Sequence, residues 1–155
     1  MPASLVDLLT EKMIALNVNA ANWEEALQRG AKLLIDDGGV EPRYLDAMID
    51  MVKELGPYVV IAPGLALGHA GPDKGVNRTC FSLITLSTPV EFGVPGNDPV
   101  SIVFSFAAPN KEEHMQALRD LAMFCSDGNN LEKIRQAIKV EQIRELLIQF
   151  FNTDN

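Results

Sequence analysis

The chain contains only two histidines, His69 and His114, and two cysteines, Cys80 and Cys125. A neutral imidazole can act as a nucleophile or proton acceptor near neutral pH, and imidazole and thiolate groups are common zinc ligands. Chemistry that needs either group therefore has very few possible positions in this sequence.

His69 follows a short β-branched run, residues 58–62, which predicts a strand buried on both faces. Residues 63–75 contain four glycines and two prolines and predict a loop. Glycine lets backbone N–H groups approach an anion, and ligands of α/β sheets collect at the carboxyl ends of strands. We therefore take His69 as a candidate catalytic residue.

His114 has a similar context. It follows a strand predicted at 100–107, and the capping pair Asn110 and Glu113 places it in the first turn of a helix. The positive N-terminal end of a helix favours a phosphate or carboxylate nearby. His114 is the second candidate catalytic residue, although a solvated surface histidine is the alternative for either residue taken alone.

A zinc site is a rival interpretation, because His69–Cys80 and His114–Cys125 repeat the same His-x10-Cys spacing. Zinc ligands usually include pairs two to five residues apart, and both cysteines lie within apolar strand or helix patterns. We therefore expect no metal, and we expect both cysteines to be reduced and mostly buried.

Size and charge exclude other classes. A chain of 155 residues favours one domain, residues 1–155. The formal net charge of −8 disfavours nucleic acid as a partner. The longest apolar run, residues 59–68, is shorter than the ~20 residues of a membrane-spanning helix. The N-terminus has no basic segment typical of a targeting peptide, so we expect a cytoplasmic protein without membrane insertion.

Periodicity and capping residues predict helices before and after a group of strands. Strands are predicted at 58–62, 79–86 and 100–107, and helices at 4–14, 22–38, 42–55, 110–126, 130–138 and 140–151. This order indicates an α/β fold in which helices cover both faces of a central mixed sheet, a three-layer α/β/α sandwich.

Several segments carry a family resemblance. They are Val40-Glu41-Pro42-Arg43-Tyr44, Gly56-Pro57-Tyr58, Ala62-Pro63-Gly64-Leu65-Ala66 leading to His69, Pro89-Val90-Glu91-Phe92 and Asn97-Asp98-Pro99-Val100. Their order and spacing resemble the enzyme IIA component of the bacterial phosphoenolpyruvate-dependent sugar phosphotransferase system, of the mannitol/fructose type. Their residues are most similar to those of the L-ascorbate-specific branch, and the resemblance covers nearly the whole chain.

The resemblance implies a function. His69 would accept a phosphoryl group from the carrier protein HPr and pass it to a cysteine of enzyme IIB. Transfer through enzyme IIB and the membrane-embedded enzyme IIC would then drive uptake and phosphorylation of a sugar, which for this branch is L-ascorbate. His114 would lie beside His69 and donate to the phosphoryl oxygens. The family also implies a mixed five-stranded sheet and no metal or organic cofactor.

The chain departs from the family pattern at two positions. Gly68 stands where relatives usually have proline, and Gly71 stands where the ascorbate branch usually has arginine. A catalytically impaired binding module is therefore an alternative. A regulatory domain is another, because related domains of nitrogen-type systems signal through their phosphorylation state. Leu65, Leu67, Phe92 and Met115 are candidates for an apolar docking rim, although a core position is the favoured interpretation of each. The oligomeric state stays open, a homo-oligomer included.

Overall fold

The computed structural model describes residues 4–152, and these form a five-stranded sheet flanked by helices. The strands are β1 Ile14–Val18, β2 Val60–Ala62, β3 Leu65–Gly68, β4 Cys80–Val90 and β5 Val100–Ala107. The helices are α1 Leu5–Leu8, α2 Trp23–Asp36, α3 Arg43–Leu55, α4 Lys111–Cys125, α5 Gly128–Gln136 and α6 Val140–Asn152. No helix within residues 4–152 has the length and apolar character needed to cross a membrane.

The sheet is mixed, with strand order β1-β4-β5-β3-β2. β1 runs parallel to β4 and β3 parallel to β5, while the β4–β5 and β2–β3 pairs are antiparallel. Helix α2 packs on one face with α3 against it, and α1, α4, α5 and α6 pack together on the other. The predicted α/β/α sandwich with a mixed five-stranded sheet is confirmed.

Capping residues explain why three helices begin where the sequence predicts. The side-chain oxygen of Asn22 accepts a hydrogen bond from the Glu25 amide at 2.9 Å, and Asn110 accepts one from the Glu113 amide at 2.9 Å. Pro42 precedes the first residue of α3. The two asparagine caps satisfy amide groups that the first helical turn leaves without partners. Pro42 makes no such bond, but its fixed φ suits the start of a helix.

The segment before His69 differs from the prediction. Residues 63–75 were predicted as a loop, but β3 lies within them. Pro63 and Gly64 form the turn of a β2–β3 hairpin, and Gly64 adopts a φ of 74°, the left-handed region that glycine supplies in such turns. The strand predicted at 58–62 is also not buried on both faces, because β2 lies at the sheet edge and Ile61 is exposed.

The first predicted helix, 4–14, is also wrong beyond its first turn. α1 ends at Leu8, a short 3₁₀ turn spans Glu11–Met13, and the chain continues as β1. Arg144 from α6 donates to the carbonyl oxygens of Val6 and Leu9 at 2.6 and 2.7 Å, which satisfies acceptors at the end of α1. β1 forms because Ile14 and Ala15 pair with Leu83 and Ile84 of β4.

The two faces of β5 have different roles. The side chains of Val103 and Ser105 face α2, where both lie within 4 Å of the space a Cβ on Gly30 would occupy. By strand alternation, Phe104 and Phe106 point to the opposite face, and both contact Phe81 of β4. This second face carries the aromatic surface beneath the two histidines.

Candidate functional site

The two histidines lie side by side. His69 directly follows β3, and His114 lies in the first turn of α4, which follows β5 after a short link. Because β3 and β5 are parallel neighbours, both residues emerge at the same end of the sheet. Their ring centroids are 6.3 Å apart, with an angle of 64° between the ring planes.

Phe106 forms a surface beneath both rings. Its ring centroid lies 5.6 Å from that of His69 and 5.1 Å from that of His114. Phe106 itself stacks on Phe81 at 5.2 Å, and both phenylalanines are fully buried. The histidine rings therefore rest on a rigid part of the core rather than on a mobile loop.

The ring of His69 has a defined tautomer. Its Nδ1 lies 2.9 Å from the carbonyl oxygen of Leu67, and a carbonyl can only accept a hydrogen bond. Nδ1 therefore carries the proton in neutral His69, and Nε2 keeps its lone pair. Burial lowers the pKa of His69 below its ordinary value, and the charge of His114 lowers it further while the Leu67 bond opposes both. His69 is thus an uncharged nucleophile near neutral pH.

His114 is positioned through the backbone of its helix. Its amide donates to the Asn110 carbonyl at 3.1 Å. The preceding residue, Glu113, accepts a 2.7 Å hydrogen bond from the Thr79 hydroxyl of the neighbouring segment. Among residues 4–152, the His114 ring has no hydrogen-bond partner. Its ring nitrogens are available to an incoming group.

Two tyrosines that the sequence did not assign to the site contact the backbone around His69. The Tyr58 hydroxyl donates to the carbonyl oxygen of His69, and its ring meets the His69 ring edge-on at 5.1 Å. The Tyr44 hydroxyl accepts a 2.8 Å bond from the Ala70 amide and lies 2.8 Å from the Phe106 carbonyl oxygen. Both tyrosines stand in segments that carry the family resemblance, but their partners are distant in sequence.

Packing accounts for the unusual glycine before His69. A Cβ atom on Gly68 would lie 2.9 Å from Met48 Sδ, 3.1 Å from Ser105 Oγ and 3.2 Å from Leu27 Cδ2. Here β3 approaches the layer of α2 and α3 so closely that a side chain would crowd three neighbours. Gly71 has no comparable packing reason, because the atom nearest to its Cβ position, Asp73 Oδ1 at 2.8 Å, ends an exposed side chain that can move aside.

Three of the four candidates for the apolar docking rim are core residues, which was the favoured interpretation of each. Leu65, Leu67 and Phe92 are buried, because the first two lie on the central part of the sheet and the third packs into the core. Met115 alone of the four is exposed, at 47 %, and it follows His114 directly.

The four potential zinc ligands do not come together. Cys80 lies on β4 next to Phe81 and therefore points to the opposite face from Phe106, with its Sγ 2.6 Å from where a Cβ of Gly39 would lie. Cys125 ends α4, about 16 Å along the helix from His114. Within residues 4–152, no group of three or more histidines, cysteines or carboxylates could hold a metal ion. Both thiols are unpaired, and burial raises the pKa of each to about 12.

Comparisons with known proteins show the family of this chain. Residues 7–150 match the family model of the phosphoenolpyruvate-dependent sugar phosphotransferase system, EIIA 2. The chain is 39 % identical over 145 residues to the ascorbate-specific PTS system EIIA component of Escherichia coli K12, covering 92 % of this chain and 94 % of the relative.

Solved structures give the same result. The mannitol-specific cryptic phosphotransferase enzyme IIA of Escherichia coli superposes with a TM-score of 0.84 at 29 % identity, over 95 % of this chain and 99 % of that one. Enzyme IIA for mannitol in complex with phosphorylated enzyme IIB, also from Escherichia coli, superposes with a TM-score of 0.81 at 28 % identity, over 91 % and 97 %. The chain thus belongs to the EIIA 2 family of the phosphoenolpyruvate-dependent sugar phosphotransferase system.

Proposed function

We propose that this protein is the phosphocarrier of an ascorbate-type sugar phosphotransferase system, with His69 as its phosphoryl acceptor. The observation that carries the proposal is the fixed neutral ring of His69, with Nδ1 bonded to Leu67 and Nε2 free to attack, 6.3 Å from the ring of His114. The 39 % identity to an ascorbate-specific EIIA component supports the branch.

The first step is acceptance of the phosphoryl group. Nε2 of His69 attacks phosphorus in line as the nitrogen–phosphorus bond of phospho-HPr breaks, and the HPr imidazole leaves with that bonding electron pair. No proton has to be removed from the nucleophile, because the lone pair is already on Nε2. The phosphorylated ring keeps its Nδ1 proton, and the Leu67 carbonyl stabilises the positive charge that the ring gains.

His114 stabilises the transferred group. Phosphoryl transfer depends mainly on positioning and on charge stabilisation, since the protein performs little covalent chemistry of its own. A ring nitrogen of His114 is expected to donate to a phosphoryl oxygen. The start of α4, where His114 stands, also carries the positive end of the helix dipole.

The second step passes the group to enzyme IIB. A cysteine thiolate of IIB attacks phosphorus, the bond to Nε2 breaks, and His69 returns to its neutral tautomer. A mannitol IIA relative forms a complex with phosphorylated IIB, which supports IIB as the partner. HPr, IIB and the membrane-embedded IIC are thus the proposed partners of one EIIA domain, residues 1–155, acting in the cytoplasm.

The net charge fits this set of partners. With a formal net charge of −8, this protein would be attracted to a carrier whose phosphorylated face is basic. Met115, exposed beside His114, is the apolar side chain that we place at the rim of the docking surface.

The test reconstitutes the pathway. Incubation with phosphoenolpyruvate, enzyme I and HPr should add one phosphoryl group per chain, and purified ascorbate-type IIB should then remove it. IIB with its acceptor cysteine changed to serine is the matched control and should leave the group in place. No phosphorylation would refute the proposal. Acceptance without transfer to IIB would favour a regulatory role instead.

A further inference from the structure

The peptide group that joins His69 to Ala70 lacks strand partners for both its carbonyl and its N–H. β3 ends at Gly68, so the carbonyl of His69 and the amide of Ala70 lie beyond the region where β5 could bond them as strand neighbours. Backbone groups in a buried segment need partners. Two tyrosine hydroxyls supply them, one at the carbonyl and one at the N–H of this peptide group.

Tyr58 holds the carbonyl side. Its hydroxyl donates to the His69 carbonyl oxygen, and its ring edge contacts the His69 ring at an angle of 82°. Half-burial raises the pKa of Tyr58 to about 12, so the hydroxyl remains a donor throughout the physiological pH range. Tyr58 therefore restrains both the backbone and the ring plane of the acceptor.

Tyr44 holds the amide side. This side chain is fully buried, and its hydroxyl takes the Ala70 N–H while lying 2.8 Å from the carbonyl oxygen of Phe106. The Ala70 carbonyl oxygen is farther, at 3.2 Å, so the single hydroxyl proton is assigned to Phe106. Tyr44 thus ties the chain after β3 to the end of β5, whose Phe106 ring contacts both histidines.

We propose that Tyr44 and Tyr58 are positioning residues that set the location of His69 Nε2 for in-line transfer. They do not touch the phosphoryl group. They fix both polar groups of the His69–Ala70 peptide, and the Leu67 carbonyl fixes the ring, which leaves the acceptor nitrogen little freedom. This inference rests on the proposed function of His69.

The test compares Tyr44→Phe and Tyr58→Phe with a matched control, Thr85→Val. Thr85 is buried on β4, and its hydroxyl also accepts a backbone amide, that of Asn17, at 2.9 Å. The control therefore removes a similar hydrogen bond near the β1 edge of the sheet, whereas β3 and His69 lie toward the β2 edge. Each variant keeps the size of its side chain, so all three are expected to fold.

Single-turnover phosphorylation by phospho-HPr is the first readout. The rate at saturating donor should fall about 100-fold in Tyr44→Phe and about tenfold in Tyr58→Phe, because small misplacements of reacting atoms slow transfer strongly. The donor concentration at half-saturation should stay unchanged, since docking is not affected. Thr85→Val should lower the melting temperature but leave the rate at the wild-type value. Wild-type rates in both tyrosine variants, or equal slowing in Thr85→Val, would overturn the inference.

Nitrogen-15 NMR of the unphosphorylated His69 ring is the second readout, and it does not depend on phosphoryl transfer. The wild-type spectrum should show the Nδ1–H tautomer, and Tyr58→Phe should show a mixture of tautomers. If the wild-type chain accepts no phosphoryl group, the proposed function fails while this spectrum still tests the positioning. A ring tautomer that is unchanged in both tyrosine variants would overturn the inference on its own.

Discussion

His69 and His114 lie 6.3 Å apart but are held in opposite ways. His69 follows a strand, and its ring is hydrogen-bonded to the Leu67 carbonyl. The peptide group that joins it to Ala70 is hydrogen-bonded to Tyr58 and Tyr44. His114 lies on a helix, and within residues 4–152 its ring makes no hydrogen bond, although its amide is bonded to Asn110.

The difference matches two chemical tasks. An attacking nitrogen must point along the line of transfer, and errors in that direction reduce the rate steeply. A group that stabilises phosphoryl oxygens needs free donors more than a single direction, because in the proposed function the phosphoryl group would arrive from one protein and leave to another. The strand-held histidine is suited to the first task and the helix-held histidine to the second.

The largest effect separates the two histidines directly. We expect His69→Ala to abolish phosphorylation by phospho-HPr, because of the two histidines only His69 has a ring nitrogen whose lone pair is held in one direction. His114→Ala should still be phosphorylated, at a rate lower on the order of 100-fold, which is typical for the loss of one charge-stabilising donor. Label incorporation measured over time distinguishes the two, and full labelling of His69→Ala would reverse the assignment.

A second prediction disturbs only the strand that carries His69. Gly68→Ala should lower the free energy of unfolding by about 1–3 kcal/mol, because the added methyl group would crowd Met48, Ser105 and Leu27 in a packed core. Gly128→Ala is the control, since nothing lies within 4 Å of its Cβ position. Urea unfolding of both variants checks this. Equal stability would mean that β3 does not approach the helices as closely as described.

A smaller effect concerns protonation of His69. Burial disfavours its charged form, so its ring should titrate below the ordinary value of about 6.5 when followed by NMR. As the pH falls through about 6.5, the folded state binds fewer protons at this residue than the unfolded state does. The free energy of unfolding therefore decreases with the pH. His69→Ala should lose this part of the acid sensitivity. A midpoint above 6.5 would contradict a neutral, buried acceptor.

Sequence patterns were sufficient for the elements whose signals are local. The capping residues Asn22 and Asn110 mark the starts of α2 and α4, and the placement of both histidines after strands predicted their common position. β3 was missed because Pro63-Gly64 is a turn signal that fits a long loop as well as a two-residue hairpin. β1 was missed because its strand form depends on pairing with β4.

The support around His69 could not be predicted for a related reason. The hydroxyl of Tyr44 meets the Ala70 amide 26 residues away, and the partner is a backbone group that every residue possesses. No residue type or spacing marks such a contact in a sequence. The same holds for Gly68. A side chain is excluded there because α2 and α3 approach β3 closely, and no residue pattern in the sequence marks that approach.

The most direct test of the account is to determine which ring nitrogen carries the phosphoryl group. Nitrogen-15 and phosphorus-31 NMR of the protein phosphorylated by phospho-HPr distinguish the two ring nitrogens of each histidine. The account predicts a phosphoryl group on Nε2 of His69, with Nδ1 still protonated and bonded to the Leu67 carbonyl. A phosphoryl group on Nδ1 of His69, or on either nitrogen of His114, would contradict it.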